Sequence, residues 1–452
     1  MQPEFATVQE AFAWFESFTN FEKKPFNLRE IRLERMQRLA ELFGHPERAF
    51  ESIHLAGSKG KGSTATFIAA ILDAAGLPTG LYTSPHLVSY KERISLAGRE
   101  IDDGLLVRLS NEIRAGLADH PAADFPGGLL PTTFELLTLL GFLAFRELGC
   151  RWAVLETGLG GRLDATNIVD PAASVITPIE LEHTEYLGDT TAKIAGEKAG
   201  IIKPGRPVYS SRQETAVLEV LAGRAAEQAA AFHSFDREIE ELRSELFVDH
   251  TRARFRIAAA GGAPAESYDA RLRLLGEVQV ENAALAALVA RRTVPAVVPA
   301  TVSRGLEAAF IHGRCEYFTG RPPVIVDGSH TPNSVARLLD SFRRLFPGGG
   351  ILLAGLVAGK RYREIAESLG PAFRLIIVTT PGSFKASDPA EVYAEFRRVN
   401  PAARLIADPS EAFAAARAAA GPDEPVLVTG SFYLAGEIIK LLTGRRSARP
   451  LH

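Results

Sequence analysis

The first half of the chain alternates short apolar runs with longer stretches whose apolar residues recur at helical spacing. A short apolar run that ends in Gly, Ser, Thr or Asp is typical of a buried parallel strand, and the longer stretches are typical of helices. The predicted strands are 52–56, 79–83, 152–156, 173–177 and 207–211, and the predicted helices are 64–75, 134–148 and 192–199. This order predicts one large α/β domain with helices on both faces of a mostly parallel sheet.

Beyond this region the pattern changes twice. Residues 232–275 become period-two, as in A-R-F-R-I-A, which predicts a small antiparallel addition before a helix over 280–292. A second series of strand and helix patterns begins at P-P-V-I-V-D-G-S and ends after P-V-L-V-T-G-S. Because its apolar runs end in small or polar residues, we expect a smaller, doubly wound, Rossmann-like α/β domain. The predicted domains are 1–312 and 313–452.

Composition allows large buried cores and excludes several kinds of partner. The chain has 452 residues, of which 46% are hydrophobic and 23% are charged, which is enough for two domains. A formal net charge of −3 gives no general attraction for nucleic acid or anionic membranes. The start of the chain lacks signal-peptide character, the two cysteines build no disulfide framework, and no apolar run is long enough to span a membrane. We expect a cytoplasmic protein with small-molecule partners.

The stretch G-S-K-G-K-G-S, from Gly57 to Ser63, lies between a predicted strand and a predicted helix. In that position backbone N–H groups surround an anion at the positive end of the helix dipole, and Lys61 reaches the terminal phosphates of a nucleotide. The usual phosphate-binding loop has Ser or Thr directly after the Lys, whereas Gly62 intervenes here. The motif therefore predicts either a P-loop-type ATPase domain or a simple Gly-rich turn.

Polar residues follow three further predicted strands. Glu156, in E-T-G-L-G-G-R-L-D-A-T-N, ends a strand where a carboxylate suits Mg²⁺ bridging phosphates, although a Glu also caps a following helix or loop. His183, in P-I-E-L-E-H-T-E-Y-L-G-D, fits a metal ligand, a base or a helix cap. Asp327 and His330, in V-I-V-D-G-S-H-T-P-N-S, fit a ribose or adenine site or a helix N-cap. Lys198 lies in a helix with apolar neighbours, where most lysines extend their ammonium group to solvent.

These motifs together resemble the Mur ligase superfamily and, within it, the folylpolyglutamate synthase and dihydrofolate synthase family. The matching stretches are G-S-K-G-K-G-S, T-S-P-H-L with E-R-I, E-T-G-L-G-G-R-L-D-A-T-N, E-H-T-E-Y-L-G-D, E-K-A-G-I-I-K-P-G, G-R-C-E and D-G-S-H-T-P. Their order and spacing cover roughly positions 15 to 440, nearly the whole chain. In this family the loop is usually G-T-N-G-K-G-S, so the resemblance implies that Gly62 belongs to a nucleotide site.

The resemblance implies that ATP and two Mg²⁺ ions lie between the two domains. The nucleotide-binding residues implied are Gly57, Ser58, Lys59, Gly60, Lys61, Gly62, Ser63, Asn282, Arg314, Asp327 and His330. The metal ligands implied are Ser84 and Glu156 for one ion, and His183 with Glu156 for a second. The catalytic residues implied are Lys61, Glu156, His183 and Lys198.

Lys198 is the position that members of this family can carry as a carbamate, which turns a cation into a carboxylate. The modification requires the neutral amine, and apolar neighbours such as Ala195 and Ala199 would favour that form by lowering the pKa of the lysine. The alternative is an unmodified helix lysine paired with Glu185 or Glu197.

The implied reaction is ATP-dependent formation of an amide. The γ-phosphoryl group passes to a carboxylate of a folate or of dihydropteroate, and the amine of L-glutamate attacks the acyl phosphate and expels phosphate. The substrate-contacting residues implied are Thr83, Pro85, His86, Arg93, Thr133 and Ser431. We expect a monomer that acts on these small molecules.

Two other functions compete with this interpretation. A Mur-type ligase acting on another carboxylate would share the ATP site, but the segment before Gly57 is too short for the UDP-sugar domain of the peptidoglycan ligases. An ATP-gated binding module would keep the loop and would need neither Glu156 nor His183.

Several positions depart from the family pattern. The departures are Ser58 and Lys59 in place of Thr and Asn, Glu182 in place of Asp, Val278 in place of His, and Thr331 in place of Asn. Because most of these changes keep a polar side chain, they affect nucleotide geometry and substrate choice more than the class of reaction.

Overall fold

The computed structural model describes residues 3–21, 32–382 and 386–444. Its strands are β1 (Glu51–Ala56), β2 (Thr79–Tyr82), β3 (Ile94–Leu96), β4 (Arg99–Glu100), β5 (Trp152–Glu156), β6 (Ala173–Ile176), β7 (Val208–Ser210), β8 (Phe232–Ser234), β9 (Ile239–Leu246), β10 (Thr251–Ile257), β11 (Glu266–Leu272), β12 (Glu316–Phe318), β13 (Val324–Val326), β14 (Ile351–Ala354), β15 (Leu375–Val378), β16 (Arg404–Leu405) and β17 (Val426–Thr429).

The α-helices are α1 (Val8–Glu16), α2 (Leu33–Leu42), α3 (Lys61–Ala74), α4 (Asp103–Leu117), α5 (Thr133–Glu147), α6 (Thr184–Leu187), α7 (Thr191–Lys198), α8 (Thr215–Glu227), α9 (Phe235–Glu238), α10 (Glu277–Thr293), α11 (Pro299–Ala308), α12 (Pro332–Leu345), α13 (Tyr362–Leu369), α14 (Pro389–Val399), α15 (Pro409–Ala419) and α16 (Phe432–Thr443). Within the described residues, no helix is both long enough and apolar enough to cross a membrane.

The first domain is built on an eight-stranded sheet with the order β4-β3-β2-β5-β1-β6-β7-β8. The strands from β2 to β8 in this order pair in parallel, and the hairpin β3–β4 adds an antiparallel edge. At the centre, Leu55 of β1 lies opposite Glu156 of β5 and Val175 of β6. The carboxyl ends of these central strands therefore meet at one edge, which is where parallel α/β sheets bind ligands.

Both faces of this sheet are covered by helices. Helices α3, α10 and α11 pack on one face, in an apolar cluster that includes Phe67 and Leu285. Helices α1, α2, α4 and α5 lie on the other face, where Phe15 and Leu139 are fully buried. Helix α5 is apolar nearly all round because it is buried between the sheet and its neighbouring helices.

The predicted antiparallel addition is present, but it begins later than expected. Strands β9, β10 and β11 form a separate three-stranded antiparallel sheet that packs on α10 and α11. The predicted first part of the addition, Phe232–Ser234, is instead strand β8, which pairs in parallel with β7 at the edge of the main sheet. Its three residues are too few for a periodic pattern to distinguish the two kinds of strand.

The second domain is a smaller α/β unit with a six-stranded sheet of order β12-β13-β17-β14-β15-β16. All of its pairs are parallel except β12–β13, which is antiparallel. Helices α12, α13 and α14 cover one face, and α15 and α16 cover the other. The predicted fold class, a mostly parallel ATPase-type domain with a small antiparallel addition and a Rossmann-like domain, is confirmed.

Candidate active site

A cavity of ≈ 1420 Å³ opens at the carboxyl ends of the first sheet and reaches the second domain. The predicted site residues that line it are Ser58, Lys59, Gly60, Lys61, Gly62, Ser63, Ser84, Pro85, Glu156, His183, Lys198, Asn282, Arg314, Asp327, His330 and Ser431. The predicted residues outside its lining are Gly57, Thr83, His86, Arg93 and Thr133. The fold therefore brings most of the predicted residues together from widely separated parts of the chain.

The glycine-rich loop joins β1 to α3 and is held by the segment that follows β6. Gly60 caps α3 with φ of 82°, a left-handed conformation that favours glycine. The N–H groups of Ser58 and Lys59 both donate to the Pro178 carbonyl, at 2.8 and 3.1 Å, and Ser58 Oγ donates to the Glu180 carbonyl at 3.0 Å. The amides that remain for an anion are those of the first turn of α3, which have no acceptor within the helix.

Two lysines donate to one backbone carbonyl of this loop. Lys61 Nζ lies 2.9 Å from Gly57 O and 3.9 Å from Glu156 Oε1. Lys198 Nζ lies 2.7 Å from the same Gly57 O, although Lys198 belongs to a helix far along the chain. The ammonium groups of Lys61 and Lys198 are thus both held at the start of the loop.

Glu182 lies among the ammonium groups of this region. Its Oε2 is 3.6 Å from Lys59 Nζ, and its Oε1 is 3.3 Å from Lys198 Nζ. Burial alone would raise the pKa of Glu182, but the positive charges of Lys61, Lys198 and Lys59 together have a larger effect in the opposite direction. The pKa of Glu182 therefore lies below its ordinary value. Burial, assisted by repulsion from Lys61, lowers the pKa of Lys198 to about 8.

The partner of Lys198 differs from the carboxylates that its helix position suggested. Glu197 pairs instead with Arg162, at 2.9 Å. The carboxylate beside Lys198 is Glu182, which lies just before the short helix α6. The predicted pairing with Glu185 or Glu197 is therefore wrong in this detail.

Glu156 ends β5 inside the cavity. Its Oε2 accepts the Ser84 N–H at 3.1 Å, and its other oxygen faces Lys61. Burial raises the pKa of Glu156, and the positive charge of Lys61 opposes this rise. Burial also lowers the pKa of His183, despite the nearby carboxylates, which favours its neutral imidazole.

Within the described residues, no group of three or more His, Cys, Asp or Glu side chains is arranged to hold a metal ion. A buried carboxylate beside a phosphate-binding loop still fits Mg²⁺, since this ion often keeps one or two protein carboxylates and takes its other oxygens from phosphates and water. The side chain that offers this is Glu156, whose backbone position at the end of β5 is fixed by the sheet.

The second domain contributes a cluster around Phe432. The guanidinium carbon of Arg314 lies 4.4 Å from the centre of the Phe432 ring, and the His330 ring meets the same ring edge-on at 5.3 Å. Burial lowers the pKa of Arg314 below its ordinary value. Burial, with Lys360 nearby, lowers the pKa of His330 to about 3, so its imidazole is neutral at physiological pH.

Two buried polar side chains that line the cavity bond to neighbouring segments of their own domain. Asp327, at the end of β13, accepts the Cys315 N–H at 2.8 Å and so holds the chain just after Arg314. Asn282 Oδ1 accepts the Thr64 hydroxyl at 3.3 Å, which joins α10 to α3. The first contact lies within the second domain and the second lies within the first domain, so each fixes the cavity wall of its own domain.

The loop after β2 carries four of the predicted substrate and metal residues. The Thr83 N–H donates to the Arg93 carbonyl at 3.0 Å, and Arg93 Nε donates to His86 Nδ1 at 2.9 Å. Thr83, His86 and Arg93 therefore stabilise the loop by bonding to one another outside the cavity lining, while Ser84 and Pro85 line the cavity.

The two remaining predicted substrate residues use their hydroxyls locally. Thr133 Oγ1 donates to the Phe15 carbonyl at 2.9 Å and does not line the cavity, whereas its neighbour Thr132 does. Ser431 lines the cavity, but its hydroxyl accepts the Leu434 N–H at 3.0 Å as the N-cap of α16.

Other residues at the cavity were not singled out from the sequence. Asp164 accepts the N–H groups of Gly158 and Leu159 at 2.8 and 3.0 Å, which organises the loop after Glu156. The sequence feature that could have identified Asp164 is its position in the E-T-G-L-G-G-R-L-D-A-T-N motif. Lining residues from the N-terminal region, where the sequence offered no motif, are Asn20, Phe21 and Arg35. Phe134 and Glu135 of α5 also line the cavity, and both belong to the segment T-T-F-E-L-L-T, which the family resemblance implies for the substrate site.

Comparisons with known proteins agree with this geometry. Family models of the Mur ligase middle domain and of the Mur ligase glutamate ligase domain match residues 117–290 and 313–432. A folylpolyglutamate synthase from Lacticaseibacillus casei is 33% identical, with 91% of this chain and 95% of the relative covered. A dihydrofolate synthase/folylpolyglutamate synthase from Bacillus subtilis is 32% identical, with 97% and 100% covered.

A solved structure is equally similar over the whole chain. The Mycobacterium tuberculosis folylpolyglutamate synthase complexed with ADP superposes with a TM-score of 0.84 at 30% sequence identity, covering 97% of this chain and 100% of the other. Sequence and fold thus agree along nearly the entire length. The chain belongs to the folylpolyglutamate synthase and dihydrofolate synthase family of Mur ligases.

Proposed function

We propose that the protein is an ATP-dependent ligase that joins L-glutamate to a folate, to dihydropteroate, or to both. The observation that carries this proposal is the meeting of the glycine-rich loop, Glu156 and Arg314 in one cavity between two domains. Membership in a family of glutamate ligases supports the same activity. A binding module would not require a buried carboxylate beside Lys61.

ATP is proposed to bind with its phosphates at the first turn of α3. The relative complexed with ADP supports a nucleotide in this fold. Lys61 would leave Gly57 O for a phosphate, while Arg314 and the neutral His330 approach from the second domain. Because two of the loop amides are already bonded to Pro178, the lysines would contribute more to phosphate binding here than in a fully open loop.

Mg²⁺ is proposed to be held by Glu156 and Ser84, and a second ion by His183 with Glu156. The ions would supply positive charge that stabilises the phosphoryl group in transit. A carbamate on Lys198 would add oxygen ligands, which hard cations prefer to imidazole nitrogen. The lowered pKa of Lys198 supports this modification, since only the neutral amine reacts with CO₂.

The chemistry is proposed to occur in two steps. A substrate carboxylate oxygen attacks the γ-phosphorus of ATP, and the bond from that phosphorus to the β–γ bridging oxygen breaks. The products of this step are an acyl phosphate and ADP. The amine nitrogen of L-glutamate then attacks the acyl carbon, phosphate leaves, and the nitrogen loses a proton to give the amide. Lys61 and Arg314 would stabilise the charge of the transferred group, and closure of the domains would bring the amine into line.

The test is a phosphate-release assay with dihydropteroate and tetrahydrofolate in parallel. We expect release that requires ATP, L-glutamate and at least one of these two acceptors. Release with a UDP-linked sugar acceptor instead would favour another Mur-type activity. ATP binding without turnover on any acceptor would favour a binding module and contradict the proposal.

Replacing Arg314 is expected to weaken ATP binding. Arg314→Ala should raise the Kd for a non-hydrolysable ATP analogue about tenfold, and Arg314→Lys should recover little because an ammonium group lacks the two-pronged contact of a guanidinium. Arg321→Ala, at an exposed arginine of the same domain, is the matched control. Equal affinities in all these proteins, measured by calorimetry, would show that Arg314 does not touch the nucleotide.

Other details stay predictions of the sequence. These are the domain division at 1–312 and 313–452, the monomeric state, the absence of nucleic-acid binding, the cytoplasmic location, and contact of substrate with the loop after β2.

A further inference from the structure

The loop after β2 touches both domains. On the first-domain side it is tied to the site, because the Ser84 N–H donates to Glu156 Oε2 at 3.1 Å. A few residues on, the N–H groups of Leu87 and Val88 donate to the carboxylate of Glu92 at 2.7 and 2.9 Å. The loop is thus a stiff connection that begins beside Glu156 and ends at Leu87.

On the other side, Leu87 packs into the second domain. Its side chain contacts the apolar cluster beneath α16, which includes Val326, Leu434 and Ile438. The Leu87 backbone also approaches α16 closely, because a Cβ added at Gly436 would lie 2.4 Å from the Leu87 carbonyl oxygen. An alanine at Gly436 would therefore clash with the Leu87 backbone, and glycine allows the two segments to approach this closely.

The same helix carries the nucleotide-facing cluster of the second domain. Phe432 is the first residue of α16, one turn before Gly436, and it contacts both Arg314 and His330. The contact between Leu87 and Gly436 therefore joins the loop beside Glu156 to the helix that supports these two residues.

We propose that Leu87 and Gly436 are positioning residues that dock the second domain on the loop after β2 and thereby place Arg314 and His330 opposite Glu156. This inference rests on the proposed nucleotide site, and it adds the contact that sets the distance between Glu156 in the first domain and Arg314 and His330 in the second. Neither residue lines the cavity, so both act through the elements that they hold together.

The test is a double-mutant cycle in nucleotide binding. Gly436→Ala should force α16 away from the Leu87 backbone and raise the Kd for a non-hydrolysable ATP analogue about tenfold or more, because small displacements cost much of the benefit of a positioned group. Arg314→Ala should then cost little in the Gly436→Ala background, since Arg314 is already displaced. A purely structural effect of Gly436→Ala would leave the cost of Arg314→Ala unchanged, and this additive result would overturn the proposal.

The chain offers a matched control for the glycine substitution. Gly223 also lies in the middle of a helix, α8, and no atom lies within 4 Å of a Cβ built there. Gly223→Ala should keep wild-type affinity and melt at the same or a higher temperature. A loss of affinity in Gly223→Ala equal to that in Gly436→Ala would count against the proposal.

A second variant keeps the test independent of any folding defect in Gly436→Ala. Leu87→Ala removes the apolar contact without adding an atom, and it should weaken nucleotide binding and reduce the cost of Arg314→Ala in the same way. Wild-type affinity in Leu87→Ala would overturn the proposal. The measured quantity is nucleotide binding, so the two proposals can fail separately. A wild-type protein that binds nucleotide but releases no phosphate would refute the ligase activity alone. A wild-type protein that binds no nucleotide would refute both the ligase activity and the docking role of Leu87 and Gly436.

Discussion

Glu156→Gln is expected to keep the fold and lose at least about a hundredfold in turnover, or about 2.7 kcal/mol of transition-state stabilisation. The substitution keeps the shape of the side chain and an oxygen that can accept the Ser84 N–H, but it removes the charge that would hold Mg²⁺. Because burial raises the pKa of Glu156, its ionised form is costly in the folded protein. The melting temperature of Glu156→Gln should therefore equal or exceed that of the wild type.

Glu197→Gln is the matched control for this experiment. Glu197 lines the same cavity, but its carboxylate pairs with Arg162 at 2.9 Å. We expect this variant to turn over at close to the wild-type rate in the phosphate-release assay. A Glu156→Gln protein that is as active as Glu197→Gln would remove Glu156 from the proposed metal site.

Lys198→Ala is expected to lose most ligase activity, and a small carboxylate such as acetate should restore part of it. The substitution opens space beside Gly57 O and Glu182, where the side chain is now buried. If a carbamate is the active form, acetate supplies the missing oxygen ligands. The measurement is turnover of Lys198→Ala against acetate concentration, with the wild type assayed in the same series.

Lys203→Ala is the control for loss of a partly buried lysine. Lys203 Nζ donates to the Asn167 carbonyl at 2.9 Å and lies outside the cavity. Its removal should lower stability, and acetate should not change its turnover. Full activity of Lys198→Ala in bicarbonate-free buffer would exclude the carbamate, whatever the response to acetate.

The fold and the central part of the site could be predicted because both depend on local patterns. Strand β5 was predicted with its observed bounds, and the polar residues after β1, β5 and β13 lie at the cavity because parallel strands end at one edge. The contacts of individual side chains were less predictable. The ion pair joins Lys198 at the end of α7 to Glu182 before α6, and no spacing along one helix reveals a contact between separate elements.

Competition from the backbone explains other limits of prediction from sequence. Ser431 and Thr133 are polar residues near strand and helix ends, and such residues often satisfy backbone groups instead of ligands. Ser431 caps α16, and Thr133 bonds to the Phe15 carbonyl. Contacts of the N-terminal helices with the cavity depend on tertiary packing, which leaves no motif in the sequence.

The shared carbonyl of Gly57 would couple a nucleotide bound at the loop to the charge state of Lys198. Lys61 and Lys198 both donate to this oxygen, and after burial the charge of Lys61 is the main cause that lowers the pKa of Lys198. A phosphate that draws Lys61 away would relieve this repulsion and raise the pKa of Lys198 again. Linkage between two binding equilibria is reciprocal. If a bound nucleotide changes the affinity of Lys198 for a proton or for CO₂ by some factor, the proton or carbamate changes the affinity for the nucleotide by the same factor. The neutral amine of Lys198 would therefore form more readily before a nucleotide binds.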